Sequence, residues 1–240
     1  MRLNILWKLI LTIALPLLGI YIVLNLFEFN TLRDQAIRDI NERVTRLATL
    51  YAQQFDGELS TIAQVARSTA EFLSIDPELG RNEAWSILEQ NIRQDELIYG
   101  AALAWKPREE DGRTILSAPY VHRGPDGTMV RIDIGTDAYD YRTSDWYSMP
   151  MDVKNGIWTE PYFDEGAGNI LMSTYAEPIF DESGDIIAIT TVDLHLEQLQ
   201  ESMHLDELDQ GVFIIVSRND RFISHPVAEM IMTSGLGEIA

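Results

Sequence analysis

The chain has 240 residues, 46% of them hydrophobic, enough for a sizeable core and one or two domains. Its 18 Lys and Arg stand against 38 Asp and Glu, a formal charge of −20 that repels nucleic acid and excludes it as a partner. There are no cysteines, which removes a disulfide framework and a Cys-based zinc site.

Leu9 to Phe27 is a run of 19 residues without a charge. At ~1.5 Å per residue a helix there spans roughly 28 Å, close to a hydrocarbon core. Arg2 and Lys8 precede it, whereas Glu28 follows and the next basic residue is Arg33. The positive-inside bias therefore predicts a cytoplasmic tail over 1–8, a transmembrane helix over 9–27 in contact with lipid, and everything from residue 28 outside. A cleaved signal peptide is the competing reading. The run is long for one, and Asn25-Leu26-Phe27 lacks a small-residue cleavage pattern.

Residues 28–76 read as a long exit helix. Ile37, Ile40, Val44, Leu47, Tyr51, Phe55, Leu59, Ile62, Ala66, Thr69 and Leu73 recur in steps of three and four, and no proline intervenes before Pro77. One small domain cannot bury such a helix along its whole length. A parallel partner in a weak homodimer is expected to cover part of the stripe.

The composition changes at 77–205. Ile98–Trp105 is strand-like, Ile115–Val121 is expected as a second strand after a turn at Gly112, and Met129–Ile134 as a third after Gly124-Pro125-Asp126-Gly127. Ile170–Ile179 and Ile186–Leu194 flank a turn at Asp181–Asp185, and Leu194–Met203 reads as a short closing helix. A helix followed by antiparallel strands with hairpin turns implies α+β with one central sheet. Residues 206–240 open a further strand at Val212–Val216 and a polar turn at Arg218–Arg221, and are expected to begin a second, truncated module.

These elements resemble the double Cache family of extracellular sensor domains of bacterial signal-transduction proteins. The resemblance rests on the N-terminal apolar helix, the long exit helix, Tyr141–Tyr147, Trp158–Asp164, Ser173–Pro178 and Gly184–Leu194. It implies a PAS-like sheet with a ligand pocket in the membrane-distal module, and a signal passed through the cell membrane to an output domain that is not in this sequence. Members that bind amino acids use a tyrosine, an arginine two before a Trp-Tyr pair, a later tyrosine and an aspartate ending a late strand. The resemblance carries these onto Tyr139, Ser144, Trp146, Tyr147, Tyr162 and Asp193. A serine, Ser144, stands where the family has arginine, which points away from a carboxylate ligand.

The remaining candidates are aromatic and acidic: Tyr139, Asp145, Trp146, Tyr147, Tyr162, Asp164 and Asp193. Aromatic faces attract cations and a carboxylate adds a charge-assisted bond, so the set suits an ammonium. Asp193 is expected to hold the amine and Asp145 a second amino group. A biogenic amine or polyamine fits best, then an amino acid. For most of these residues a structural role is the alternative: Trp146 and Trp158 as core aromatics, Asp145 as a cap on a helix starting at Trp146, Asp164 as a turn residue. Asp193 ends an apolar run and needs a buried partner or a ligand. The four histidines have no metal-ligand spacing, with His195 and His204 expected on the surface of the closing helix. No nucleophile motif or phosphate loop is present, and no cofactor is implied. A ligand-binding sensor that is not an enzyme is therefore expected. An anchored hydrolase using paired carboxylates, or an assembly module, is the alternative.

Overall fold

The computed structural model describes Ile5 and residues 10–136, 138–165, 169–202 and 214–238. Arg2 and Lys8, Met203 and His204, and the start of the Val212–Val216 strand lie outside the described residues. After one π-helical segment, Ile10–Ala14, helix α1 runs unbroken over Leu15–Ile75. Pro16, which lacks an N–H to donate, follows directly on the π-helical turn, and the helical path continues through it. The helix stops where Asp76 caps α2 (Pro77–Arg93): the Asp76 carboxylate accepts from the Leu79 N–H at 3.2 Å, and Pro77 takes the first position.

The chain divides into two compact units, Met1–Gly57 and Glu58–Ala240. In the first, the helix is long and apolar enough to cross a membrane, and Ile37, Ile40 and Val44 of the predicted stripe stay exposed. In the second, Ile62, Ala66, Thr69 and Leu73 of the same stripe are buried. Thr69 donates to Asn91 of α2 at 3.1 Å, joining the end of α1 to its neighbour.

Seven strands form one antiparallel sheet: β1 (Ile98–Trp105), β4 (Pro119–Arg123), β5 (Met129–Asp133), β6 (Ile157–Trp158), β7 (Tyr162–Phe163), β8 (Leu171–Phe180) and β9 (Ile186–His195). Their order is β5-β4-β1-β9-β8-β6, with β7 also on β8. Short ribbons β2 (Arg108–Glu110) with β3 (Arg113–Ile115), and β10 (Ile215–Val216) with β11 (Phe222–Ser224), stand apart from it. The α+β architecture with a central antiparallel sheet is the one the sequence implies. Gly127 (φ +78°) and Gly184 (φ +81°) occupy left-handed turn positions in the two predicted hairpins.

Two expectations need correction. Ile115–Val121 is not one strand: the chain bends at Ser117, whose carbonyl accepts from Trp105 N–H at 2.9 Å, and pairing resumes at Pro119. Proline lacks a ladder donor and suits the first residue of a strand. His195 is not on the closing helix, which is α4 (Leu196–Ser202); it ends β9, half-buried, with its ring centroid 5.8 Å from that of Tyr99.

Alternation assigns the two faces of the sheet. Tyr175 and Val192 pair across β8 and β9 on the face that meets Arg67 of α1, while Ala176 and Ile189 turn to the other. There helix α3 (Asp145–Val153) packs Trp146 and Tyr147 against Ala102, Ala104, Tyr120 and Tyr141. Thr174, Thr191 and Asp193 share this second face, so the same alternation that builds the core puts an acid inside it.

Candidate ligand pocket

Asp193 lies in β9 between Gly100 of β1 and Thr174 of β8 and is 4% exposed. Gly100 makes room for it. A Cβ at that position would lie 2.5 Å from Tyr120 Oη and 2.8 Å from Asp193 Oδ2, so two side chains from neighbouring strands converge over bare backbone. Thr174 Oγ1 donates to Asp193 Oδ1 at 2.8 Å. Its only proton is then committed, so Tyr162 Oη donates to Thr174 Oγ1, also at 2.8 Å. A second chain starts from α3: Trp146 Nε1–H donates to Tyr139 Oη at 3.3 Å, and Tyr139 Oη donates to Asp164 Oδ1 at 3.3 Å. Ala102, Tyr120, Ile134 and Thr191 complete the wall of a pocket of about 10 Å³, the room of a single water-sized group.

Asp193 and the three pocket tyrosines record a negative, desolvated environment. Burial pushes the Asp193 carboxyl up to about 7, the Asp164 charge adds to the rise, and the Thr174 hydrogen bond offsets part of it. The Tyr120 hydroxyl, buried without a well-aimed hydrogen-bond partner, lies close enough to favour the charged carboxyl slightly. Burial also raises Tyr120, Tyr162 and Tyr139, and both Asp193 and Asp164 contribute to each rise. The phenols therefore stay neutral, and no basic side chain lines the pocket among the described residues. Arg142, three residues before α3, is exposed and held by two 2.7 Å hydrogen bonds to Asp140.

The structure brings Tyr139, Trp146, Tyr162, Asp164 and Asp193 together in this pocket. Asp164 combines two roles: its backbone closes a turn with Asn169 and Ile170, and its side chain, 6% exposed, faces inward. Asp145 is not in the pocket. It is exposed as the first residue of α3, and Ser144 occupies the cap position, so neither the expected cap nor a second amine contact is realised. Tyr147 belongs to the core, edge-on to Tyr141 with centroids 4.9 Å apart, and burial first, then Tyr141, pushes its phenol up to about 12. Ser144 does not line the cavity and bears on it only through Tyr139, whose phenol it pulls down. Sequence reading missed Gly100, Tyr120, Thr174 and Thr191. The signal for the threonines was available: Thr174 and Thr191 are polar residues in near-continuous apolar strands, on the face that register assigns to Asp193.

Comparison with known proteins places this arrangement. A model of the first PDC sensor domain of methyl-accepting chemotaxis protein-like receptors matches residues 85–201. The extracellular domain of soHK1S-Z6, assigned as a histidine kinase, is 30% identical with a TM-score of 0.64, over 76% of this chain and 69% of that one. The chain belongs to the Cache-type (PDC) family of extracellular sensor domains. The Cache fold recurs in the ligand-binding domain of the Pseudomonas fluorescens chemoreceptor CtaA in complex with L-isoleucine, at 20% identity and a TM-score of 0.55 over 77% of this chain and 68% of that one. It recurs also in the Pseudomonas aeruginosa amino acid chemoreceptor PctB in complex with L-Gln, at 21% identity and a TM-score of 0.56 over the same shares. No curated protein sequence matches the chain. Cache-type modules of chemoreceptors and histidine kinases sense ligands and are not catalytic in this region, and the present chain is a sensor module of that kind.

Proposed function

We propose that this Cache module is the extracytoplasmic sensing part of a receptor in a bacterial cell membrane, anchored in lipid through residues 9–27, and that its ligand is a small molecule bearing an ammonium group. The carrying observation is Asp193: a buried acid among neutral phenols and an indole, in a pocket that no basic side chain lines among the described residues. An ammonium placed there gains a charge-assisted hydrogen bond and aromatic walls. An isolated carboxylate would meet only like charge. An amine or an amino acid is the ligand class. CtaA and PctB, which share the fold, were captured with amino acids, and these carry the same cationic group. Because the pocket admits little more than one water-sized group, a ligand enters by parting Tyr139 and Tyr162, which sit on short elements.

Strand β8 offers a route for the signal. Thr174 holds Asp193 on one face, and the adjacent Tyr175 on the other accepts from Arg67 Nε of α1 at 2.8 Å and donates to Glu177 at 2.7 Å. A ligand that displaces β8 thereby moves α1. The exposed Ile37, Ile40 and Val44 support pairing of this helix with a second copy in a parallel homodimer. Single cysteines along residues 37–51 are expected to crosslink with a period of three to four residues; uniform crosslinking removes the stripe from the interface.

A thermal-shift screen of the chain in detergent tests the ligand class. Primary amines and amino acids are expected to raise the melting temperature in proportion to the logarithm of their concentration, without turnover. A shift produced by organic acids lacking an amino group, with none from amines, would refute the assignment.

A further inference from the structure

A larger cavity, of about 270 Å³, opens at the far end of β1 from the Gly100–Asp193 site. Its lining is Arg81 of α2, Trp105 at the end of β1, Lys106 after it, Arg108 of β2, and Ile115, Ser117 and Pro119. Three of the chain's 18 basic residues, from two separate segments of the chain, thus converge on one space that no carboxylate lines among the described residues. In a chain of charge −20 this is a local inversion of sign.

The geometry prepares the cations. The Arg81 guanidinium lies over the Trp105 ring, 4.0 Å from its centroid, a cation–π contact that holds it at the cavity wall. Gly80 permits that stacking: a Cβ there would lie 3.2 Å from the Trp105 ring, so the absence of a side chain keeps α2 close to the indole. Among the described residues the acid paired with Arg81 is Glu78 at 3.6 Å, itself 79% exposed, a weak competitor. Among the described residues the acid paired with Arg108 is Glu110 at 3.7 Å, again exposed, while neighbouring Glu109 is occupied by Thr114 at 2.7 Å. The Lys106 ammonium has no ion pair or hydrogen bond among the described residues. Trp105, Ile115 and Pro119 supply an apolar floor.

We infer that this cavity is a second binding site, for a small multivalent oxyanion such as an organic di- or tricarboxylate or a phosphate compound. The guanidinium of Arg81 offers a planar fork to one oxyanion group, and Lys106 and Arg108 neutralise the others. The site is chemically the reverse of the Asp193 pocket and shares no residue with it, so one module carries a cation site and an anion site at opposite ends of β1.

Calorimetric titration of the whole chain in detergent with citrate and with inorganic pyrophosphate, at low and at raised salt, tests this. Saturable binding that weakens with salt is expected, with a loss of tenfold or more in the Lys106→Glu/Arg108→Glu double variant. Both residues are exposed, so the fold is expected to survive, and an unchanged melting temperature verifies it. Lys106→Ala alone is expected to lose a smaller, several-fold share. Failure of both anions to saturate, or equal affinity in the double variant, overturns the proposal. The outcome is independent of the amine reading, because neither substitution touches the Asp193 pocket.

Discussion

Asp193→Asn is expected to make the unliganded protein more stable at pH 8, and the gain is expected to disappear towards pH 4. In the folded chain burial pushes the Asp193 carboxyl up to about 7 from its ordinary value of 3.8. Between those two values the folded state holds a proton that the unfolded state has released, so stability falls as pH rises through this window. The stabilising contribution of the protonated acid is complete below about 4 and lost above about 7. A shift of about three units corresponds to about 4 kcal/mol. Asparagine keeps the acceptor for Thr174 and never charges, so its advantage over the wild type grows with pH. Denaturant unfolding of both proteins from pH 4 to pH 8 measures the difference directly, and subtraction removes the titration of the other carboxylates. A difference independent of pH would mean that Asp193 is not buried as an ionisable group.

Gly100→Ala is the second large effect. The added methyl falls between Tyr120 and Asp193, at 2.5 and 2.8 Å, in a central strand whose backbone cannot retreat. Overpacking of this kind costs about 1–3 kcal/mol, and here it also separates the two groups that frame the ligand position. A lower denaturant midpoint with an unchanged slope is expected, together with a tenfold or greater loss of amine affinity. Unaltered binding would show that the ligand does not approach the Gly100 side of Asp193.

How far the sequence reaches can be seen in individual residues. The exit helix beyond residue 28 was legible because its stripe from Ile37 to Leu73 repeats without a proline, and the paired strands β8 and β9 because a short polar turn joins two apolar runs. The bend at Ser117 was not legible, since Leu116, Ala118 and Tyr120 continue the apolar pattern while backbone pairing changes partner. Asp193 was legible as an acid at the end of an apolar run. Tyr120 and Gly100 were not, because their value depends on which strands lie beside β9, and β1 and β9 are separated by most of the domain. Asp145 misled for the converse reason. Its place beside Trp146 in sequence says nothing of direction, and on a helix consecutive residues point about 100° apart, so Trp146 turns inward while Asp145 meets solvent.

The pH dependence of amine affinity tests the central claim most directly, because it asks whether the ligand's positive charge meets ionised Asp193. A primary amine or L-isoleucine, titrated by calorimetry into the wild-type chain and into Asp193→Asn between pH 5.5 and 8.5, serves for the measurement. The predicted result is a dissociation constant that rises about tenfold for each pH unit below about 7 and levels off above it, as a proton must leave the carboxyl before an ammonium can replace it. Asp193→Asn is expected to bind more weakly by about 2–5 kcal/mol at pH 8 and to lose that dependence. Equal affinity in the two proteins, or affinity for the deaminated acid in place of the amine, would contradict an ammonium held by Asp193.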